Sequence, residues 1–214
     1  MMSAHDKIWS SVLDNFVLRR ITHSNYEHLH GSFTRYARVA PFAQPVSSSI
    51  RMILIGGARD AGDRQRVDDL KRLARELQIE AHVEFAVNLP FAEMKAYLAK
   101  AMVGIHTMWN EHFGIGVVEF MAAGLITIAH NSGGPKSDIL APLPTGDRVG
   151  YLASTESEYC SALMEIFTPP MRGSEAMAKM RVNARHRAME YSDEVFTQQL
   201  EKHFLPTIEF VRTR

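Results

Sequence analysis

From residue 51 onward, short apolar runs alternate with longer amphipathic segments. The apolar runs have the length of strands and contain few polar residues, which is typical of strands buried on both faces; they are 51–57, 82–87, 103–108, 125–130 and 150–153. The segments between them have the spacing or the starting residues of helices at 63–79, 91–101 and 113–124. This alternation predicts an α/β fold, a Rossmann-like parallel sheet with helices on both faces.

The two ends of the chain depart from that alternation. After residue 153 the pattern is helical in three segments: 155–167, which opens with the spacing of a capping box, 174–191, and 193–213, which Pro206 interrupts. We expect this helical C-terminal tail to pack back against the sheet. Residues 1–50 are polar and rich in histidine apart from an amphipathic stretch at 5–21 that fits a helix. We predict an atypical extension or a degraded first βα unit at 1–50 and one Rossmann-like domain at 51–214.

Charge, cysteine content and hydropathy exclude several classes of protein. Lys plus Arg and Asp plus Glu number 24 each, so no overall field attracts nucleic acid or an anionic membrane. The single cysteine, Cys160, excludes an internal disulfide and suits a reducing compartment. The apolar run 114–129 has 16 residues and contains Glu119, whereas a membrane span needs about 20 apolar residues. We therefore expect a soluble chain with no transmembrane segment and no nucleic-acid partner.

Glycine and polar residues follow the ends of several predicted strands. They are Gly56 and Gly57 after the first strand, Asn88 after the second, and the loops 106–113 and 130–134 after the next two. Because the carboxyl ends of parallel strands share one edge, where open α/β sheets bind ligands, we expect these residues to surround one cleft. His106 and His130 are candidates to line it, although a single histidine near a strand end is more often structural.

The helix predicted at 113–124 begins with glycines and contains one acidic residue. The first amides, those of Gly114, Ile115 and Gly116, have no acceptor within the helix and suit a phosphate group. Glu119 lies about five residues farther along, and helical side chains tilt toward the N-terminus, so its carboxylate is placed to accept hydrogen bonds from a ribose diol. Glu111 precedes the helix, where it would contact a hexose or stabilise positive charge at an anomeric carbon.

The stretch EHFGIGVVE, residues 111–119, has the Glu-x7-Glu form and resembles the retaining nucleotide-sugar glycosyltransferases of the GT-B fold. The wider pattern resembles that family over about residues 51–200. Within the family, HTMWNEHFGIGVVE, MAAG and AHNSGGPK resemble the α-1,2-mannosyltransferases that extend dolichol-linked oligosaccharide.

The resemblance implies roles for individual positions. It places Glu111 beside the donor mannose as the catalytic residue and Glu119 on the ribose, with the diphosphate held by the amides of Phe113, Gly114 and Ile115. The other donor-binding positions that it implies are Gly56, Gly57, Asn88, Leu89, His112, Gly133 and Gly134. The family also has a basic pair on the diphosphate, for which Arg35 and Arg38 are the candidates, and no Lys follows them where the family has one.

The resemblance also implies a reaction and a setting. The donor would be GDP-mannose and the acceptor a lipid-linked oligosaccharide at the cytosolic face of the endoplasmic reticulum membrane, with retention of configuration and no metal or other cofactor. The chain would be the C-terminal, donor-binding half of a GT-B enzyme, a nucleotide-sugar binder with little or no activity alone. Two alternatives stay open: a fragment of another nucleotide-sugar glycosyltransferase or epimerase, and a non-catalytic interaction module derived from one.

Overall fold

A six-stranded parallel sheet forms the centre of the protein. The structure, a computed structural model, describes the backbone of residues 15–19 and 50–212 and the side chains of residues 50–205. The strands are β1 (Asn15–Arg19), β2 (Arg51–Gly56), β3 (Val83–Val87), β4 (Ala101–His106), β5 (Ile126–His130) and β6 (Tyr151–Ala153). Their order, β3-β2-β1-β4-β5-β6, reverses between β1 and β4 as in Rossmann folds, and the prediction of that fold is confirmed.

Helices connect and flank these strands. They are α1 (Ala61–Glu76), α2 (Phe91–Lys100), α3 (Ile115–Ala123), α4 (Glu156–Phe167), α5 (Glu175–Met189) and α6 (Asp193–Arg212). A 3₁₀ turn at Glu80–His82 precedes β3, and a π-helical turn at Pro135–Ile139 follows β5. The predicted capping box is present: Glu158 N donates to the Thr155 hydroxyl, and the Glu158 carboxylate accepts from Thr155 N. Among the described residues, no helix is long and apolar enough to cross a bilayer.

Residues 15–19 are a strand, so the helix predicted over 5–21 is wrong at these positions. Val17 is paired with Ile53 of β2 on one side and with Gly104 of β4 on the other. A short apolar run that fills the gap between two strands gains a ladder of backbone hydrogen bonds on both edges, and this outweighs its helical periodicity. The rest of residues 1–49 lies outside the described residues, so their interpretation as an extension or degraded βα unit stays a prediction.

The helical tail also differs in part from its prediction. Helices α4 and α5 do pack onto the body, through residues such as Ile166 and Met177. Helix α6 runs through Pro206 without a break, so the predicted interruption at this residue is wrong. A proline removes one amide donor, and a long helix can accommodate that loss. Its side chains at 196–205 are all exposed, so the expected packing of this helix against the sheet is wrong there.

Both faces of the sheet are covered, as the unbroken apolar strands predict. On β2, Met52 and Leu54 face a cluster with α1 and α4, whereas Ile53 and Ile55 face a cluster with α2 and α3. Alternate residues of one strand thus enter two separate cores.

Helix α3 lies directly against β4. A Cβ on Gly104 would be 2.4 Å from Cγ of Phe120, a side chain that is completely buried. The absence of a side chain at Gly104 therefore allows the helix to approach the strand more closely than any other residue would permit. The position of the first turn of α3 at the carboxyl edge of the sheet follows from this contact.

Candidate active site

A cleft of about 660 Å³ lies at the carboxyl edge of the sheet, beside the reversal of strand order. Its lining residues come from the ends of β2, β3 and β4, from the loop after β4, and from the first turns of α2 and α3. Those in the described part of the chain are Ile55, Gly56, Gly57, Asn88, Leu89, Met94, His106, Glu111, Ile115 and Gly116. Six of the predicted site residues are therefore brought together at this cleft: Gly56, Gly57, Asn88, Leu89, Glu111 and Ile115.

Asn88 holds the loop after β2 at one wall of the cleft. Its side-chain oxygen accepts a hydrogen bond from Ala58 N at 2.8 Å, its side-chain nitrogen donates to Ala58 O at 3.3 Å, and its own amide donates to Gly56 O at 2.9 Å. The residue has a φ of 57°, a left-handed conformation that asparagine tolerates better than most residues. Asn88 thus fixes the backbone of Gly56 and Gly57, which gives it a structural role beside any contact with a ligand.

The first turn of α3 forms the opposite wall. Gly114 precedes the helix with φ 105°, and no side chain caps this turn among the described residues. A Cβ at Gly114 would also be 3.2 Å from Pro135, a tight contact, but it is the positive φ that favours glycine here. The next two residues, Ile115 and Gly116, line the cleft. Their position at a helix start gives the cleft amide donors and the positive end of the helix dipole.

Glu119 lies one turn farther along the same helix and is half-buried. Ile115 and Gly116 precede it by four and three residues, so all three share one face of α3. Because helical side chains lean toward the N-terminus, the carboxylate is directed toward the turn that lines the cleft, although Glu119 itself is not among the lining residues. Its oxygen Oε2 is buried. This geometry agrees with a carboxylate that accepts hydroxyl groups next to a bound anion.

Glu111 lies in the loop between β4 and α3, with its side chain 13% exposed. Its Oε2 is 3.6 Å from Nε2 of His106, the last residue of β4. The loop is tied from the other side as well: Gly134 N donates to Glu111 O at 2.9 Å, and Asn110 N donates to the Ser132 hydroxyl at 2.8 Å. The carboxylate is therefore presented to the cleft on a loop whose backbone is held by hydrogen bonds, with the His106 imidazole close to its side chain.

Gly133 and Gly134 lie against the backbone of this loop. A Cβ at Gly133 would be 2.2 Å from Glu111 O, and one at Gly134 would be 2.4 Å from Phe113 O. No residue with a side chain fits either position without moving the loop. Their close approach to the backbone gives both glycines a role in holding Glu111, and the predicted contact of these glycines with a donor stays a prediction.

The other predicted site residues lie around the same turn. His112 is exposed, and Phe113 places its ring against Tyr191 in an edge-to-face contact, with 5.5 Å between ring centroids. Their side chains point to the outside of the loop, so contact with a ligand would come from their backbone. The predicted phosphate contacts Arg35 and Arg38 lie outside the described residues and stay predictions.

Two cleft residues were not predicted from the sequence: Ile55 and Met94. Gly116 and His106, predicted as a phosphate-binding amide and as a candidate to line the cleft, are both among its lining residues. His106 closes a buried strand at the carboxyl edge, and this position is the sequence signal that makes it a candidate to line the cleft. Met94 lies on α2 one turn after its start and has no such signal. His130, the other histidine considered, has Nδ1 at 2.8 Å from the Ser132 hydroxyl, which itself accepts from Asn110 N. It supports the loop that carries Glu111.

Sequence comparison identifies relatives for most of the chain. Residues 24–157 match the family described as glycosyl transferases group 1. The GDP-Man:Man(3)GlcNAc(2)-PP-Dol alpha-1,2-mannosyltransferase of Homo sapiens is 46% identical over 161 residues, which are 75% of this chain and 31% of that protein. The enzyme of the same name from Mus musculus is 43% identical over 171 residues, 80% of this chain and 33% of that protein. The chain thus spans about a third of the length of these curated relatives.

Solved structures show the same fold. Sucrose-phosphate synthase from Thermosynechococcus elongatus matches with a TM-score of 0.70 and 19% identity, over 96% of this chain and 48% of that one. The C-terminal domain of a glycosyl transferase group 1 family protein from Francisella tularensis matches with a TM-score of 0.65 and 16% identity. That match covers 84% of this chain and 86% of the domain. The fold is therefore that of the C-terminal half of GT-B glycosyltransferases, as predicted.

Proposed function

Since the chain belongs to the glycosyl transferases group 1 family, we propose that it is the GDP-mannose-binding half of an α-1,2-mannosyltransferase of lipid-linked oligosaccharide assembly. The observation that carries this proposal is the first turn of α3. It has no side-chain cap among the described residues, it lines the cleft, and a glutamate stands on each side of it. The named relatives supply the nucleotide and the sugar.

The diphosphate of the donor would be bound at the start of α3. The amides that follow Gly114 are donors without intrahelical acceptors, and the helix dipole favours negative charge at the same point. Ile115 is 55% exposed and Gly116 has no side chain, so the backbone is open to an approaching phosphate. Fixed backbone donors would stabilise the charge that develops on the leaving diphosphate, and binding by these amides requires no metal ion.

Each of the two glutamates would contact one sugar of the donor. Glu119, on the cleft face of α3, would accept hydrogen bonds from the two ribose hydroxyls. Glu111, across the turn, would lie beside the mannose and stabilise positive charge at its anomeric carbon. The half-buried position of Glu119 is then explained, because sugar hydroxyls replace the water that burial removes.

The names of the relatives support the proposed acceptor, and the proposed cellular setting is the one that the sequence resemblance implies. A lipid-linked oligosaccharide would be bound by sequence that corresponds to the remaining two thirds of those enzymes. We place the reaction at the cytosolic face of the endoplasmic reticulum membrane. In the proposed reaction the acceptor hydroxyl attacks the mannose from the face that the diphosphate leaves, so the configuration is retained. Alone, the chain would bind the donor and transfer little or no mannose.

Calorimetric titration with GDP tests the donor site. We expect Glu119→Ala to weaken GDP binding about 30-fold, the usual cost of losing hydrogen bonds to a charged group. Glu201→Gln, an exposed position on α6, is the matched control and should bind as the unaltered chain does. Equal affinities of the Glu119→Ala variant and the unaltered chain would remove the ribose role. Failure of the unaltered chain to bind GDP, or preference for UDP or ADP, would overturn the proposal.

A further inference from the structure

His106 is a cleft residue that the proposed donor chemistry does not use. Its side chain is only 4% exposed, yet it lines the cleft. Its Nε2 lies 3.6 Å from Oε2 of Glu111. Burial of an imidazole within reach of a buried carboxylate is costly unless the two groups interact, because each loses water.

The two partners differ in how they are anchored. His106 belongs to the sheet: it pairs with Ala129 of β5, and its carbonyl accepts a 3.0 Å hydrogen bond from the buried hydroxyl of Tyr159 on α4. Burial raises the pKa of Tyr159, so this phenol stays a neutral donor. Glu111 instead lies on a loop, held through its backbone carbonyl by Gly134 N. The imidazole is therefore the rigid member of the pair, and the carboxylate is the one that needs orientation.

We propose that His106 is a positioning residue for the donor sugar, which acts by holding Oε2 of Glu111 and leaving the second carboxylate oxygen to accept sugar hydroxyls. The inference rests on the proposed function, since it assumes that Glu111 contacts the sugar. Catalytic hydrogen bonds are often long in ligand-free sites and tighten when the substrate binds. The separation of 3.6 Å fits that behaviour: the Nε2–H group is close enough to engage with a small movement of the loop.

This role makes a prediction that separates the sugar from the nucleotide. His106 acts on Glu111 and not on the start of α3, so its loss should weaken GDP-mannose and leave GDP unchanged. We expect His106→Phe, which keeps a ring but removes the N–H donor, to bind GDP-mannose about tenfold more weakly, as for one lost hydrogen bond to a charged group. His106→Gln, whose amide nitrogen reaches a similar point, should recover most of the affinity. His186→Gln, at an exposed position on α5, is the control.

A double-mutant cycle tests whether the effect passes through Glu111. In a Glu111→Ala background, His106→Phe should change GDP-mannose affinity by less than about twofold, because the group it positions is gone. If the His106→Phe variant does not fold, His106→Gln against His106→Asn makes the same test, since the shorter amide cannot reach Oε2.

The possible outcomes are distinct. Equal weakening of GDP and GDP-mannose, or additive effects in the cycle, would show that His106 only supports the fold, and would overturn the inference while the proposed function stands. Binding of GDP-mannose no tighter in His106→Gln than in His106→Phe or His106→Asn would also overturn it. Failure of the unaltered chain to bind either ligand would remove the proposed function, and the inference with it.

Discussion

Helices α1 and α3 both begin at the carboxyl edge of the sheet, but their first turns are built in opposite ways. At the start of α1, Asp60 accepts a hydrogen bond from Asp63 N at 2.8 Å. The buried carboxylate of Asp63 accepts from Arg59 N at 3.0 Å and is paired with Arg66. At the start of α3, Gly114 provides no side-chain cap, and the first turn contains no acidic residue.

The difference shows that a helix N-terminus becomes an anion site only where the chain leaves it unfilled. The two helices have the same dipole direction relative to the sheet, so the dipole alone does not distinguish them. In α1 the carboxylate of Asp60 already accepts from a first-turn amide, Asp63 N, that a phosphate would otherwise bind, and the carboxylate of Asp63 accepts from Arg59 N just before the helix. In α3 the first turn opens onto the cleft, and the acidic residues stand beside it, at Glu111 and Glu119, where neutral sugar hydroxyls would lie.

The largest effect should come from displacing α3 itself. Gly104→Ala places a methyl group 2.4 Å from the buried ring of Phe120, and overpacking of this kind costs about 3 kcal/mol. We expect urea unfolding to show that loss of stability, together with weaker GDP binding, because the first turn moves away from the cleft. Adding Phe120→Leu frees space and should recover part of both. Unchanged stability in Gly104→Ala would mean that the close contact does not determine the position of the helix.

A smaller effect should follow from giving α3 an acidic residue like that of α1. Ile115→Asp introduces a carboxylate at an exposed position in the first turn. It should weaken GDP binding by about 2 kcal/mol through repulsion of the diphosphate, while helix stability stays equal or rises by about 0.5 kcal/mol. Ile115→Asn, of the same size without charge, is the control for calorimetry. If both variants bind GDP equally, the diphosphate does not lie at this helix start.

The fold was predictable from residue 51 onward because strand and helix periods alternate there without conflict. The strand at residues 15–19 was not predictable, because a run as short as Phe16 to Leu18 suits a helix or a strand. Only pairing with β2 and β4 decides between the two. The exposure of α6 was also not predictable. Its apolar positions, such as Phe196 and Leu200, have the spacing of a buried face, and periodicity does not show whether a partner surface is present.

The site was predictable where a residue type and its position at a strand or helix end point to the same chemistry. That was so for Glu111, Gly56 and Asn88, which all line the cleft. Prediction from the sequence failed for contacts that depend on how loops fold and pack. The approach of Gly133 arises from packing between the loop after β5 and the loop after β4. The 3.6 Å contact of His106 with Glu111 joins residues five positions apart and depends on the conformation of the loop that carries Glu111. No local pattern in the sequence encodes either distance.

The smallest effect concerns α1 and sharpens the claim that its first turn is already filled. The hydrogen bond from Arg59 N, with help from Arg66, lowers the pKa of Asp63 from its ordinary value of 3.8 to about 2. Because the pKa is lower in the folded state, the stabilisation is present above about pH 4 and is lost as the pH falls through about 2. Asp63→Asn removes this titration.

We therefore expect the unfolding midpoint in urea to fall less steeply between pH 5 and about pH 2 in Asp63→Asn than in the unaltered chain. Asp147 and Glu158 also have a lowered pKa, and the variant retains both, so it still loses some stability in acid. Only the difference between the two slopes reports on Asp63. Parallel slopes would mean that this carboxylate is no better satisfied in the folded protein than in the unfolded chain. The contrast between α1 and α3 would then depend on the capping of α1 by Asp60 and on Gly114 at the start of α3, without a contribution from Asp63.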